Sequence, residues 1–195
     1  RLSNNPVHRL CLDSNSIVYD VVRSLKQPTN SAIIKGVCQR IQSYIDIVKP
    51  LKETYISFDG VPPLAKANQQ RERRYKGWVT HQILQDAVEW NTVQITPGTE
   101  FMNQLDVEIV KYFKGKPCKI STSQEPGEGE HKIMEYLRRS SNDERNIIYG
   151  LDADLIILGM LQPIKVELMR EAPDFINVSN YQDNLLLLDL PQLRN

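Results

Sequence analysis

Three short apolar stretches in this sequence each run into an aspartate. "VHRLCL" (7–12) leads to Asp13, "TYISF" (54–58) to Asp59, and "NIIYG" (146–150) to Asp152. Between them the apolar residues recur at helical spacing. Ile17, Val18, Val21, Val22 and Leu25 share one face before Pro28, and Ile34, Val37, Ile41, Ile45 and Val48 share another in a helix over 31–48 that Pro50 ends. A strand near "KPCKIS", helices over 100–113 and 130–139, and a short helix "DLIILGM" continue the alternation. Such an order specifies an α/β fold with a mostly parallel sheet flanked by helices, because parallel neighbours need the long crossovers that helices supply. No repeat or internal linker divides the chain, so residues 1–195 are expected to form a single domain.

The acids of this fold fall on one edge. Asp13, Asp59, Asp152 and Asp154 follow strands, and Glu128 and Glu130 follow the "KPCKIS" strand within "EPGEGEHK". The carboxyl edge of an open α/β sheet is where ligands bind, so these six can share one crevice. Any one of them alone is ordinarily a turn or cap residue, and a first-turn Glu gains ~0.3–1 kcal/mol from the helix dipole. Together they would repel one another unless cations neutralised them. Oxygen ligands with almost no His or Cys nearby select Mg²⁺ or Mn²⁺ over Zn²⁺, and a pair of such ions is the usual apparatus for hydrolysing a phosphodiester. Glu130, Ile133, Met134 and Leu137 lie at i, i+3, i+4 and i+7, which turns Glu130 inward with the apolar face.

The second concentration of charge is basic. From Lys66 to Lys76 five basic residues meet one acidic one, in a chain whose 24 Lys and Arg balance 24 Asp and Glu. If Leu64 to Lys76 is helical, Lys66, Gln70, Arg73 and Arg74 form one stripe of donors. Most charge runs are solvated helix faces, but here few acids are interspersed to pair with the cations. A stripe of ammonium and planar guanidinium groups suits a terminal phosphate, which carries more charge than a backbone diester. Because net charge is zero, affinity for nucleic acid must be local.

The remaining composition excludes other classes. Cys11, Cys38 and Cys118 are scattered and odd in number, which argues against a disulfide framework or a zinc site and for a reducing, intracellular setting, cytoplasmic or nuclear. Apolar runs such as "LIILGML" are too short to span a bilayer, and no basic-then-apolar leader opens the chain. His8 and His81 have no ligand-spaced partners, and His131 reads as a structural residue or one that supports a ligand rather than binding metal itself. At least one of Trp78 and Trp90 is expected to pack, Met134 and Met160 read as core, and no Ser-His-Asp or Cys-His constellation is present.

Taken in order, "DSNSIVYD", "FDGVPPLAKANQQRERRYK", "ITPGTEFM", "PGEGEHKIMEYLR" and "YGLDADLIILGM" resemble the amino-terminal half of the Xrn family of 5′→3′ exoribonucleases, from about residue 1 to 172. The resemblance implies a PIN/flap-nuclease-like fold, Mg²⁺-dependent removal of nucleotides from single-stranded RNA, and a requirement for a 5′-monophosphate. Carried over, the catalytic and metal-binding carboxylates are Asp13, Asp59, Glu128, Glu130, Asp152 and Asp154, and the 5′-phosphate pocket is Lys66, Gln70, Arg73 and Arg74. The family adds a metal-site aspartate in a later segment than this chain spans, so residues 1–195 are expected to be the amino-terminal part of a longer catalytic region. Where the family has a His that stacks on the leading base, this chain has Tyr19, whose ring retains stacking and loses the imidazole. The segment between Arg74 and Thr96 is short beside the family pattern. Two alternatives stay open: a catalytically inactive RNA 5′-end-binding module or scaffold, and a structure-selective flap endonuclease.

Overall fold

The computed structural model describes residues 5–64, 66–68, 71–72, 75–76, 79, 90–172 and 185–193. Strand β1 (Arg9–Asp13) passes directly into helix α1 (Ser14–Ser24), followed by α2 (Asn30–Val48) and β2 (Glu53–Ser57). After a 3₁₀ turn at Thr92–Gln94 come α3 (Glu100–Tyr112), β3 (Cys118–Ser121), α4 (Gly129–Leu137), β4 (Asn146–Tyr149) and α5 (Asp154–Met160). Strands β5 (Val166–Glu171) and β6 (Leu185–Asp189) and a terminal turn, α6 (Leu190–Leu193), complete the described elements. Helix starts follow the local chemistry: Thr29 and Thr99 accept the N–H groups of Ala32 and Met102 at 3.2 and 3.3 Å, capping α2 and α3.

The sheet has the order β3-β2-β1-β4-β5-β6, parallel except for the β5·β6 pair. Each central strand is buried on both faces, as an apolar run under two helical layers must be. Leu10, Leu12, Ile56, Phe58, Ile147 and Tyr149 face the core beneath α1, α2 and α3. Cys11, Tyr55 and Ile148 face the second core, with Ile133, Met134, Leu137 and Leu155 from α4 and α5. The mostly parallel α/β sheet expected from the sequence is therefore present, flanked by helices. Strands β5 and β6 were not among the elements its periodicity yields, and their pairing of Glu167 with Asp189 through Glu171 with Leu185 adds an antiparallel edge.

Topology fixes where a ligand can sit. From β1 the chain moves to β2 and β3 on one side, then crosses back to β4 on the other side of β1. The strand order thus reverses between β1 and β4, and the crevice beyond their carboxyl ends is the binding position that such a switch point creates. At the opposite pole Glu144 pairs with Arg9 and Lys52. Cys11 and Cys38 are buried and Cys118 half-buried, all free thiols. Among the described residues no helix is long and apolar enough to cross a membrane.

Candidate metal centre

Asp13 is the last residue of β1 and the N-cap of α1, yet its carboxylate makes no capping hydrogen bond. The ordinary role of an acid at that position is therefore unused. Glu128 likewise stands at the N-cap of α4 without capping it. Neither carboxylate is spent on capping, and both lie beside the partly positive ends of two helices.

Asp59, two residues past β2, is held from two sides. Its Oδ1 accepts the Gly129 N–H at 2.6 Å, and its Oδ2 accepts Asn15 Nδ2 at 3.0 Å. Asn15 returns the bond, its Oδ1 accepting the Asp59 N–H at 3.0 Å. Buried Asn15 thus clamps the aspartate of β2 to the start of α1. The loops carrying Asp59 and Glu128 are zipped by backbone: Gly60 N–H donates to Gly127 O at 2.8 Å, and Gly127 N–H to Val61 O at 2.9 Å. A Cβ on Gly60 would lie 1.8 Å from the carbonyl oxygen of Glu125, and Gly127 has a φ of +102°, so both positions need glycine. Gly129 is a third case, because a Cβ there would reach within 3.0 Å of Asp13 Oδ1 and 3.3 Å of Asp59 Oδ1. The two carboxylates close over it from different strands.

Behind the acids, Lys132 donates to Phe58 O at 2.9 Å and Thr122 O at 3.2 Å, tying the ends of β2 and β3 to α4. Burial lowers its pKa. Asp106 of α3 accepts the Ser123 N–H at 3.0 Å and its hydroxyl at 2.6 Å, anchoring the start of the glutamate loop. Asn15, Lys132, Asp106 and the three glycines are the supporting residues that sequence reasoning missed. Only the glycines left a trace there, in the D-G and P-G-E-G-E spellings.

The other acids complete the cluster. Glu130 turns inward with Ile133, Met134 and Leu137 as its helical phase requires, and all four are buried. Carboxylate oxygens of Glu130, Asp152 and Asp154 lie within 4.8 Å of one another, as do ligand atoms of Glu128, Glu130 and His131. Asp152 and Asp154 are exposed, and Asp152 Oδ1 also accepts the Asp154 N–H at 3.1 Å. Burial, followed by the charges of Asp59, Glu130 and Asp152, pushes the Asp13 carboxyl up to about 8. Glu130 rises to about 7, chiefly through burial, with Lys66 opposing and Glu128 and Asp152 adding to the rise. Burial also raises Asp59, against the pull of the Gly129 N–H. Carboxyls pushed up in this way are short of positive charge, and a donor set made chiefly of carboxylates fits a hard divalent cation. The acids are positioned to bind metal.

Tyr19, 37% exposed, lines a cleft of about 470 Å³ with Asp13, Asn15, Asp59 and Asp152. Tyr19 thus shares that cleft with three of the acids. Lys66 lies at the start of the basic segment, whose described residues are helical, and both its N–H and that of Ala67 bond to Pro63 O. Its ammonium is 2.6 Å from Glu128 Oε2 and 3.9 Å from Glu130 Oε1. Gln70, Arg73 and Arg74 lie outside the described residues, as do Trp78 and His81. Histidine 131 is exposed at the rim, its Nδ1 3.5 Å from Glu128 and 3.6 Å from Glu130. His8 accepts the Arg145 N–H and is structural, while Trp90 packs edge-on against Phe101 and donates to Asn30.

Comparison with known proteins shows the fold and the family. The catalytic core of Rad2 in complex with DNA substrate shares the fold with a TM-score of 0.54 over 97% of this chain and 49% of that one, at 17% identity. The 5′-3′ exoribonuclease 1 of Saccharomyces cerevisiae is 34% identical, covering 77% of this chain and 12% of that protein. The 5′-3′ exoribonuclease 2 of Eremothecium gossypii is 32% identical over 80% of this chain and 21% of its own length. That of Schizosaccharomyces pombe is 32% identical over 77% and 19%. The chain therefore spans about a fifth or less of the length of these relatives. With the family model for the XRN 5′-3′ exonuclease N-terminus matching residues 1–172, the chain belongs to that family.

Proposed function

We propose that this chain is the amino-terminal part of the catalytic region of a Mg²⁺-dependent 5′→3′ exoribonuclease that acts inside the cell. Residues 1–195 would form a single nuclease domain, and its substrate would be single-stranded RNA with a 5′-monophosphate. The observation that carries the reading is the meeting of Asp13, Asp59, Glu128, Glu130, Asp152 and Asp154 at the switch point of the sheet, with a lysine beside them. Mg²⁺ or Mn²⁺, two ions in this reading, would be held by those six carboxylates. The chemistry brought by such ions when bound is acidification of water and neutralisation of charge at a phosphodiester.

The chain's own residues do the rest. Gly129 N–H and Asn15 fix the Asp59 carboxylate, so that donor is held in place before a cation arrives. Lys66, with Gln70, Arg73 and Arg74, would bind the terminal phosphate and set which diester lies next to the acids. The ring of Tyr19, which lines the cleft, would stack on the leading base, a contact worth ~1–3 kcal/mol per base. Asp154→Asn tests the reading. It keeps side-chain volume and removes one anionic ligand at an exposed site, so RNA hydrolysis in Mg²⁺ should collapse while the metal-free melt stays close to wild type. Near-normal hydrolysis by that variant, or hydrolysis that persists in EDTA, would count against the assignment. Binding of 5′-monophosphate RNA with no hydrolysis by the wild-type protein in Mg²⁺ would identify an end-binding module instead.

A further inference from the structure

Lys66 is paired with a residue that its proposed role does not call for. A lysine that grips a terminal phosphate should face solvent, whereas the Lys66 ammonium rests 2.6 Å from Glu128 Oε2 and 3.9 Å from Glu130 Oε1. Glu128 has a side chain only 7% exposed, so the pair is shielded from water on the glutamate side. Among the other described cations near these acids, Lys132 is committed to the carbonyls of Phe58 and Thr122, and His131 Nδ1 stands off at 3.5 and 3.6 Å. Among the described residues Lys66 is therefore the principal counter-charge of Glu128.

We infer that Lys66 is an exchangeable cation that couples metal loading to capture of the RNA 5′ end. Without metal its ammonium neutralises Glu128; metal held by Glu128 and Glu130 displaces it and frees it for the terminal phosphate. The inference rests on the proposed reading of the site and adds an order of events to it. Two positive charges cannot share one buried carboxylate oxygen without mutual repulsion, so cation binding at Glu128 must expel the ammonium. The residue type suits the task. A lysine carries a compact charge with three rotatable donors on a flexible stem, and it changes partner without the planar register that an arginine fork demands. Lys66 also lies only three residues past Pro63, on a first turn flanked by exposed Val61 and Leu64, so its stem can swing without disturbing core packing. Linkage then requires reciprocity: if metal tightens phosphate binding by some factor, the phosphate tightens metal binding by the same factor.

The test uses a ligand without a scissile bond, uridine 5′-monophosphate, titrated into the full chain in EDTA and in Mg²⁺ by calorimetry. Four proteins are compared: wild type, Glu128→Gln, Lys66→Met and the double variant. In EDTA, Glu128→Gln should bind the nucleotide on the order of 10-fold more tightly than wild type, within the range usual for coupled sites. In the Lys66→Met background the same change should give no gain. Should Glu128→Gln fail to fold, Lys66→Met decides alone: Mg²⁺ should bind it more tightly than wild type, and the Mg²⁺-dependent gain in nucleotide affinity seen in wild type should vanish. A gain from Glu128→Gln that survives in Lys66→Met, or a Mg²⁺ effect undiminished by Lys66→Met, overturns the exchange and leaves the phosphate pocket standing. If the nucleotide binds none of the proteins in either condition, the pocket itself falls and the exchange with it.

Discussion

Replacing Asn15 by Ala removes both bonds of the clamp on Asp59. The Asn15 carbonyl accepts a backbone N–H, a neutral bond worth about 0.5–1.5 kcal/mol, and its amide donates to a carboxylate, worth about 1.5–3 kcal/mol. Asn15 is only 9% exposed, so water cannot fully replace either partner. The sum is about 2–4.5 kcal/mol. At roughly 2–4 °C per kcal/mol for a domain of this size, the low end alone lowers Tm by about 4–8 °C. Thermal unfolding followed by circular dichroism in EDTA measures this without the contribution of metal. Asn15→Asp serves as a second variant: it retains the acceptor for the Asp59 N–H but replaces the donor with a carboxylate facing Asp59 Oδ2. It should melt no higher than Asn15→Ala, and Mg²⁺ should recover more of its stability. If Asn15→Ala melts within about 2 °C of wild type, less than about 1 kcal/mol, the clamp falls short of its two bonds and Asp59 is fixed by other contacts.

Gly60→Ala should prevent stable folding, since its Cβ would meet the Glu125 carbonyl oxygen at 1.8 Å; Gly115→Ala, at φ +80° with open space around it, should cost only about 1–2 kcal/mol. Denaturant melts of the two compare them, and equal stabilities would contradict the packing of the two site loops. A pH effect is expected at Asp20 of α1. Burial, followed by the charge of Glu171, pushes its carboxyl from 3.8 to about 6, with Arg23 and Arg40 opposing. Glu171 is in turn held by Arg40 and by the Tyr44 hydroxyl, which donates to it at 2.7 Å and lies 3.0 Å from that of Tyr149. The folded form holds the Asp20 proton more tightly than the unfolded chain, so protonation favours folding, and that contribution is lost as pH rises from about 4 through about 6. Asp20→Asn should therefore melt above wild type near neutral pH, with an advantage that shrinks on acidification. A difference independent of pH between about 4 and 7 would refute the shift.

Local pattern reached as far as local causes did. The stretch "DLIILGM" is the helix Asp154–Met160, and the spacing of Ile34 to Val48 gives α2 to within a residue, because helical phase is written in one segment. Strand β5 was not legible because Val166, Leu168 and Met169 are buried while Glu167, Arg170 and Glu171 are partly so, which is no clean alternation. In β6, "LLLL" suits a strand or a helix equally; its pairing with β5 decides. The acids showed the same division. That they follow strands was readable, but Asn15 in "DSNS" looks like a cap, and its true partner lies 44 residues away. Lys66 was placed by its segment with the phosphate stripe, whereas its resting contact is with Glu128, 62 residues on. Contacts between segments set both roles, and periodicity carries no information about those.

The most direct test of the account is the order in which labelled RNA loses its nucleotides. Single-stranded RNA with a 5′-monophosphate, labelled internally and at the 3′ end, is incubated with the full chain in Mg²⁺ and in EDTA, beside the same RNA with a 5′-hydroxyl. Removal from a phosphate-held end should release 5′-mononucleotides in sequence from the 5′ end, in Mg²⁺ only, and much more slowly from the 5′-hydroxyl RNA. Internal fragments, equal rates on the two ends, or release in EDTA would contradict it.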